Sequence, residues 1–212
     1  SYSIITNSNS GLATPSIDGG TGVLTVSYTS DDNGEAEIVV RANDGNGSTL
    51  DQTFTVSVTA VNDAPTFTKG SNITVLEDSG SSTTLDWATS ISAGPSDESG
   101  QAVSFAVSND NNSLFSILPD ISPAGDLIFT PTANANGSAT VTIRLSDNGG
   151  TGNSGADDTS PNQTFTITVT AVNDDVTLAS SIANYTVLED AAANTTDLDT
   201  IFGDIDILNG AP

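Results

Sequence analysis

Histidine, cysteine and methionine are absent from this 212-residue chain, and only three residues are basic: Arg41, Lys69 and Arg144. Without cysteine, neither disulfides nor thiolate metal sites hold the fold. Without histidine or cysteine, the commonest general base and the best nucleophile are missing, and no glycine-rich phosphate loop opens a helix. Paired carboxylates of the glycosidase kind stay open on spacing, but nothing singles out a pair. The expectation is therefore a chain that is not an enzyme. Against 27 acidic residues, three bases form no patch to neutralise phosphates, so nucleic acid is excluded as a partner and anionic membranes are disfavoured. No apolar run is long enough to span a bilayer, and no signal-like segment opens the chain.

What is present is Thr, Ser, Asn, Asp, Gly and Val, the composition of short strands joined by tight turns, with no 3.6-residue apolar stripe. The organising stretch is QTFTVSVTAVNDAP at 52–65, which returns as QTFTITVTAVNDDV at 163–176. Phe54, Val56 and Val58 alternate with Thr53, Thr55, Ser57 and Thr59, giving one buried and one wet face. Asn62, Asp63 and Pro65 then stop the strand, because proline lacks an N–H and biases its predecessor toward extended backbone. A last strand that runs into a short acidic connector reads as a domain exit, and two exits mean tandem domains.

Two further anchors recur: TVLED at 74–78 and 186–190, and GVLTVSY…NGEAEIVVRANDG at 22–45 against GDLIFTP…NGSATVTIRLSDNG at 125–149. The middle repeat, 64–175, is complete. It predicts strands near Ile73–Leu76, Thr83–Trp87, Ala102–Ser108, Leu114–Leu118, Leu127–Thr130, Ala139–Ser146 and Thr164–Ala171. This is the pattern of an all-β, Greek-key, immunoglobulin-like sandwich. Asn33–Gly34 and Asn136–Gly137 predict turns or bulges with positive φ. Residues 1–63 match only the later strands of a repeat, and 176–212 only the first ones. Two readings stay open: an excerpt from a longer tandem array, or a segment 176–212 that completes 1–63 of the next copy by strand complementation. Either way the expected partners are copies of the chain itself, in an array or fibre.

TVLED, ISAGPSDESGQ, GDLIFTP, NGSATVTIRLSDNGGTG and QTFTITVTAVND together resemble the bacterial cadherin-like and immunoglobulin-like tandem repeats of giant surface adhesins. The resemblance covers essentially the whole chain. It implies a secreted or surface-displayed protein that serves adhesion or matrix building, with calcium where one domain meets the next.

The residues argue for calcium beside that resemblance, since this hard cation takes six to eight oxygens from carboxylates, amides and carbonyls in flexible geometry. Asn62 and Asp63 at one exit, and Asn173, Asp174 and Asp175 at the other, offer such oxygens. Glu77 and Glu189, each ending a domain's first strand, are placed to reach the same junctions. The resemblance adds Asp204 and Asp206 as an Asp-x-Asp pair, and Asp44 and Asp147 as the aspartate that closes a site from the penultimate strand. The chain also departs from the cadherin pattern. Ala60 and Ala171 stand where cadherin connectors begin with aspartate, Asp97 and Glu98 in SDESG only loosely replace Asp-x-Asp, and Asp31 and Asp32 lie near the place of Asp-Arg-Glu. Fewer ions than in a cadherin junction are expected, with the better site before GDIDI.

Each acid also has a plainer reading. Asp63 and Asp174 could cap turns, Glu77 and Asp78 could form a solvated turn, and Asp157 and Asp158 could bind an ion with Asp147 or only face water. The acidity as a whole could serve solubility or tolerance of salt. Arg41 and Arg144 are expected to pair with neighbouring carboxylates, and Trp87 to lie in the core. The leading functional reading is a calcium-stiffened structural repeat of an adhesin stalk or matrix filament. The alternative is a sandwich whose loops bind a polysaccharide or a partner surface, for which exposed aromatics are few. A wet threonine face turned to ice or mineral is supported by pattern alone.

Overall fold

The computed structural model describes residues 1–150 and 158–204. The described residues are all β apart from single 3₁₀ turns at Ser96–Glu98, Asn112–Leu114 and Leu198–Thr200. No helix among them is long and apolar enough to cross a membrane. The chain forms two compact units: one gathers Ser1–Phe67, Ser90–Ser104 and Leu145–Pro161, the other Thr68–Thr89, Phe105–Arg144 and the chain from Asn162 onward.

In the first unit, β1 (Tyr2–Asn7), β4 (Gly34–Asn43) and β5 (Thr49–Val58) make an antiparallel sheet in the order β1-β4-β5. The hairpin of β2 (Ala13–Ile17) and β3 (Leu24–Tyr28) forms a separate two-stranded sheet. Alternation sets the register. Ala36 and Ile38 are buried opposite Val56 and Phe54, and Leu12, Ala13 and Ala36 form a small core that Val26, Val56 and Val58 pack against. Asn33–Gly34 has its expected conformation, with Gly34 at φ 128° opening β4. Two short strands, β6 (Thr66–Thr68) and β9 (Thr89–Ser92), pair with each other and were not evident from the sequence.

In the second unit, β7 (Ile73–Leu76), β10 (Ser104–Asn109), β13 (Gly137–Ser146) and β14 (Gln163–Thr170) form a sheet in the order β10-β13-β14-β7. There β7 runs parallel to β14, from Ile167↔Ile73 to Thr170↔Leu76. A second sheet, in the order β11-β12-β8, joins β8 (Ser82–Thr84), β11 (Phe115–Ile121) and β12 (Leu127–Pro131). Val141, Ile143, Ile167 and Val169 of the first sheet and Leu127 and Phe129 of the second are fully buried, so each sheet turns one apolar face inward as in a sandwich. Phe115 and Phe129 meet edge to face at 5.8 Å. Finally β15 (Thr177–Leu178) pairs with β16 (Phe202–Gly203).

The strand predictions are close, and the differences have local causes. The strand expected to reach Trp87 stops at Thr84, because Asp86 takes φ 51° and gives its N–H to the Asp126 carboxylate. Trp87 therefore sits in a turn, yet it is core as expected. Its ring lies 4.3 Å from that of Phe165, its Nε1 donates to Ser71 O, and Gly70 packs so closely that a side chain there would strike the indole. The strand expected to end at Leu118 runs on to Ile121, with register shifts either side of Ile117 that accommodate Pro119.

Candidate metal centre

The connector that follows β5 is anchored by Pro65 and Phe67, both buried. Asn62, also buried, is turned inward between two other segments of the first unit. Its Oδ1 accepts from Gln101 Nε2 at 2.9 Å, and its Nδ2 donates to Asp147 Oδ1 at 3.2 Å. Asp147 Oδ1 also accepts the Gly149 N–H. Asp63 is exposed, but its backbone N–H donates to Glu98 Oε1 at 2.8 Å. Three stretches far apart in sequence, 62–63, 98–101 and 147–149, thus meet at Asn62 and Asp63.

The loop that supplies Glu98 is shaped for it. Pro95 precedes a 3₁₀ turn over Ser96–Glu98, the Glu98 N–H bonds back to Pro95 O, and the Gln101 N–H bonds to Glu98 O. This turn folds Glu98 inward until only 5% of it is exposed. Two glycines make the room: a methyl group at Gly94 would overlap Glu98 Oε2, and one at Gly149 would overlap Asn62 Oδ1.

The cluster has acceptors in excess of donors. Glu98 Oε2, Gln101 Oε1 and Asp147 Oδ2 are all buried, and none receives a hydrogen bond. An unsatisfied buried polar group costs about 1–3 kcal/mol, and an unpaired buried charge costs more. Such a set of oxygens suits a ligand that brings positive charge and no directional demand. Beside it lies a cleft of about 320 Å³ whose lining includes Asp31, Asp32, Asn33, Asp63 and Asp97. Asn33 Nδ2 donates to Asp97 Oδ2 at 2.8 Å, and Asp31 adopts φ 61°, a conformation that aspartate tolerates better than most residues. Among the described residues no three acidic side chains converge closely enough to hold an ion by themselves. The centre is a mixture of carboxylates and amides.

Of the residues singled out by sequence, Asn62, Asp63 and Asp147 are brought together in this unit. Asp44 is not with them. It is exposed at the end of a turn, where the N–H groups of Asn46 and then Ser48 bond to its Oδ1 and hold its carboxyl below the usual range. Asp158 meets Asp147 through the backbone, its carbonyl accepting the Asp147 N–H, and Asp157 lies outside the described residues. Arg41 forms its expected pair, with Asp51 at 2.6 Å.

In the second unit, Glu77 is 2% exposed, accepts the Val172 N–H at Oε1, and has no donor at Oε2. Asn173 Nδ2 bonds to Asp174 O. Asp175 and Glu189 are exposed, Asp204 is half-buried, and Asp206 lies outside the described residues. Of the first centre's members, sequence reasoning passed over Gln101 and read Glu98 only as a loose counterpart of an Asp-x-Asp acid. The available signal was an acid and an amide in a loop bounded by glycines, Gly94 and Gly100, but only folding shows that Glu98 reaches the Asp63 N–H and Gln101 the Asn62 amide.

Residues 62–157 match the family described as bacterial Ig domain, a stretch that contains Asn62, Glu98, Gln101 and Asp147. No curated protein matches the chain. Among solved structures, the ectodomain of human desmocollin-1 is 17% identical with a TM-score of 0.43, over 82% of this chain and 34% of that one. Chicken VE-cadherin EC1-2 is 20% identical with a TM-score of 0.40, over 80% of this chain and 83% of that one. The extracellular domain of protocadherin gammaB4 is 17% identical with a TM-score of 0.41, over 95% of this chain and 34% of that one. The chain therefore spans about a third of the desmocollin-1 ectodomain. The stretch 62–157 matches the bacterial Ig domain, in a chain whose described residues are all β apart from single 3₁₀ turns.

Proposed function

We propose that this chain is an extracellular structural segment of a bacterial adhesin stalk or matrix filament, in which calcium ties the connector after β5 to the loops around it. One observation carries the reading: three buried oxygens, Glu98 Oε2, Gln101 Oε1 and Asp147 Oδ2, lack donors, on side chains that bond to Asn62 or to the Asp63 N–H. Glu98 and Asp147 would supply charge, while Gln101 and Asn62 would supply neutral oxygens. The acids of the neighbouring cleft would raise the local cation concentration or complete the shell with water.

Bound calcium would neutralise carboxylates that otherwise repel, and would cross-link segments 62–63, 98–101 and 147–149. At extracellular-type affinities of about 10⁻⁴–10⁻³ M and about millimolar calcium, one site adds roughly 0.4–1.4 kcal/mol. The gain is small per connector but repeats along an array. It is also present where calcium is plentiful and absent in a cytoplasm that keeps it low.

The test is calcium titration by calorimetry, with thermal melting and small-angle scattering in calcium, in magnesium and in chelator. Saturable binding, a raised melting point and a stiffer particle in calcium are the expected results. Absence of binding at 10 mM calcium would leave the acidity as solvation and the chain as a passive spacer.

A further inference from the structure

β4 and β13 are the corresponding long strands of the two units, and each carries one arginine near its end, Arg41 and Arg144. In the first unit that arginine is engaged from within. Arg41 stands opposite Asp51, the residue before Gln52, and grips its carboxylate with both arms of the guanidinium: Nε donates to Oδ1 at 2.6 Å and Nη2 to Oδ2 at 2.7 Å. In the second unit Asn162 precedes Gln163 at the matching place, and the pair Ile143↔Gln163 sets Arg144 opposite it at the next step of the register. Asparagine offers no carboxylate. Among the described residues nothing pairs with Arg144 or accepts a hydrogen bond from it, so it lacks the partner expected from the sequence.

Arg144 is exposed and lines a groove of about 220 Å³, together with Ala106 and Ser108 of β10, Thr142 of β13 and Asn162. Alternation places these side chains. Thr142 and Arg144 lie on the wet face of β13, between the buried Val141, Ile143 and Leu145, and Ala106 and Ser108 are the exposed residues of the neighbouring β10. The volume falls below the roughly 300–1,000 Å³ of ordinary small-molecule pockets, which suits one ring-sized group and not an extended ligand. The groove offers one cation, two hydroxyls and an amide. Among the described residues, no other side chain engages those of Ser108, Thr142 or Asn162.

We infer that this groove binds the carboxylate of an acidic sugar, held by Arg144 as Arg41 holds Asp51. The fork of an arginine matches a carboxylate bidentately, and the first unit displays that match at the corresponding strand position. Ser108, Thr142 and Asn162 both donate and accept, which is what sugar hydroxyls require of their partners. An acidic side chain from another protein would use the cation and leave these three idle. The balance of charge adds a limit. With 27 acidic residues against three basic ones, the chain repels a polyanion at range, so the ligand is an isolated uronate within an otherwise neutral glycan. Exposed ion pairs are weak, and a single sugar residue should bind with a dissociation constant of about 1–10 mM. This inference goes beyond the calcium reading and does not depend on it.

The test follows the side-chain N–H signals of Arg144 and Asn162 by NMR as sodium glucuronate is added in calcium-free buffer. Saturable shifts at both residues are expected, with glucose and acetate each binding at least about tenfold more weakly. Arg144→Gln should weaken glucuronate binding by about tenfold or more, whereas Lys69→Gln, which removes the same charge elsewhere, should leave it unchanged. Asn162→Asp rebuilds the Arg41–Asp51 arrangement, so it should engage Arg144 from within and block glucuronate while the backbone spectrum keeps its dispersion. Several results would overturn the inference: no saturable shift at Arg144 up to about 100 mM glucuronate, equal binding by the Arg144→Gln or Asn162→Asp chain, an equal loss in the Lys69→Gln chain, or acetate or glucose binding as tightly. Tighter binding of a glutamate-rich peptide would also overturn it, by assigning the groove to an acidic protein segment. Because the experiment runs without calcium, its failure would leave the ion-binding reading standing, and the converse also holds.

Discussion

Replacing Glu98 by glutamine isolates the charge at the centre of the connector cluster. The substitution keeps shape and keeps an oxygen for the Asp63 N–H, but removes the carboxylate whose Oε2 is buried without a donor. With calcium at 10 mM and a dissociation constant of about 10⁻⁴–10⁻³ M, the unmodified chain gains roughly 1.4–2.7 kcal/mol over its state in chelator. A tenfold loss of affinity, a modest expectation for one lost carboxylate, leaves about 0.4–1.4 kcal/mol. For a chain of this size about 1 kcal/mol moves the midpoint by roughly 2–4 °C, so the calcium-induced shift should shrink by about 2–5 °C. The assay is differential scanning calorimetry of both chains in calcium and in chelator. Only the difference between the two conditions is compared, so any effect of the mutation on the ion-free fold cancels. Equal calcium shifts in both chains would refute the assignment of Glu98, and no shift in either would refute the site.

Other substitutions probe the same physics from different sides. Gly149→Ala should displace the Asn62 amide, lowering calcium affinity at least severalfold by titration calorimetry while melting in chelator changes less. Phe129→Ala, in a fully buried position against Phe115, should cost about 3–5 kcal/mol in urea unfolding without altering ion affinity. Acid should act through aspartates that the fold keeps ionised. The carboxyl of Asp44 is held low by the N–H groups of Asn46 and Ser48, that of Asp18 by those of Thr21 and Gly20, and that of Asp51 by Arg41. A lowered folded-state value means stability present above the unfolded-state value, near pH 4, and lost as pH falls through the folded one. Asp44→Asn should therefore flatten the decline in chemical-denaturation midpoint below about pH 4.

Period-two alternation was enough to place most strands, because each sheet has one apolar face and the pattern records it residue by residue. It failed at Trp87, where burial comes from a turn instead of a strand: an aromatic that packs on Phe165 looks the same in sequence in either setting. It also passed over Thr66–Thr68 and Thr89–Ser92, which are too short to show a period. The candidate centre was half legible. Asn62, Asp63 and Asp147 stand out as an acidic exit and a strand end. Glu98 and Gln101 do not, since their role depends on a 3₁₀ turn that carries them across to residues 35 and 39 positions earlier in the chain. Asp44 shows the opposite case. By repeat it matches Asp147, but its carboxylate is already engaged by its own turn.

The parallel alignment of β7 with β14 has a mechanical consequence. β7 comes early and β14 late in the stretch 73–170, so tension applied to the chain on either side of that stretch draws them in opposite directions along their shared axis. The hydrogen bonds between them then bear the load together, in shear, instead of parting one after another like a zipper. Resistance to force is thus set by a patch only four residues long, Ile73–Leu76, and by the carboxylate of Glu77 that pins its end to Val172. A pulling experiment on this stretch would find its mechanical strength concentrated there, largely apart from the thermal stability supplied by the core.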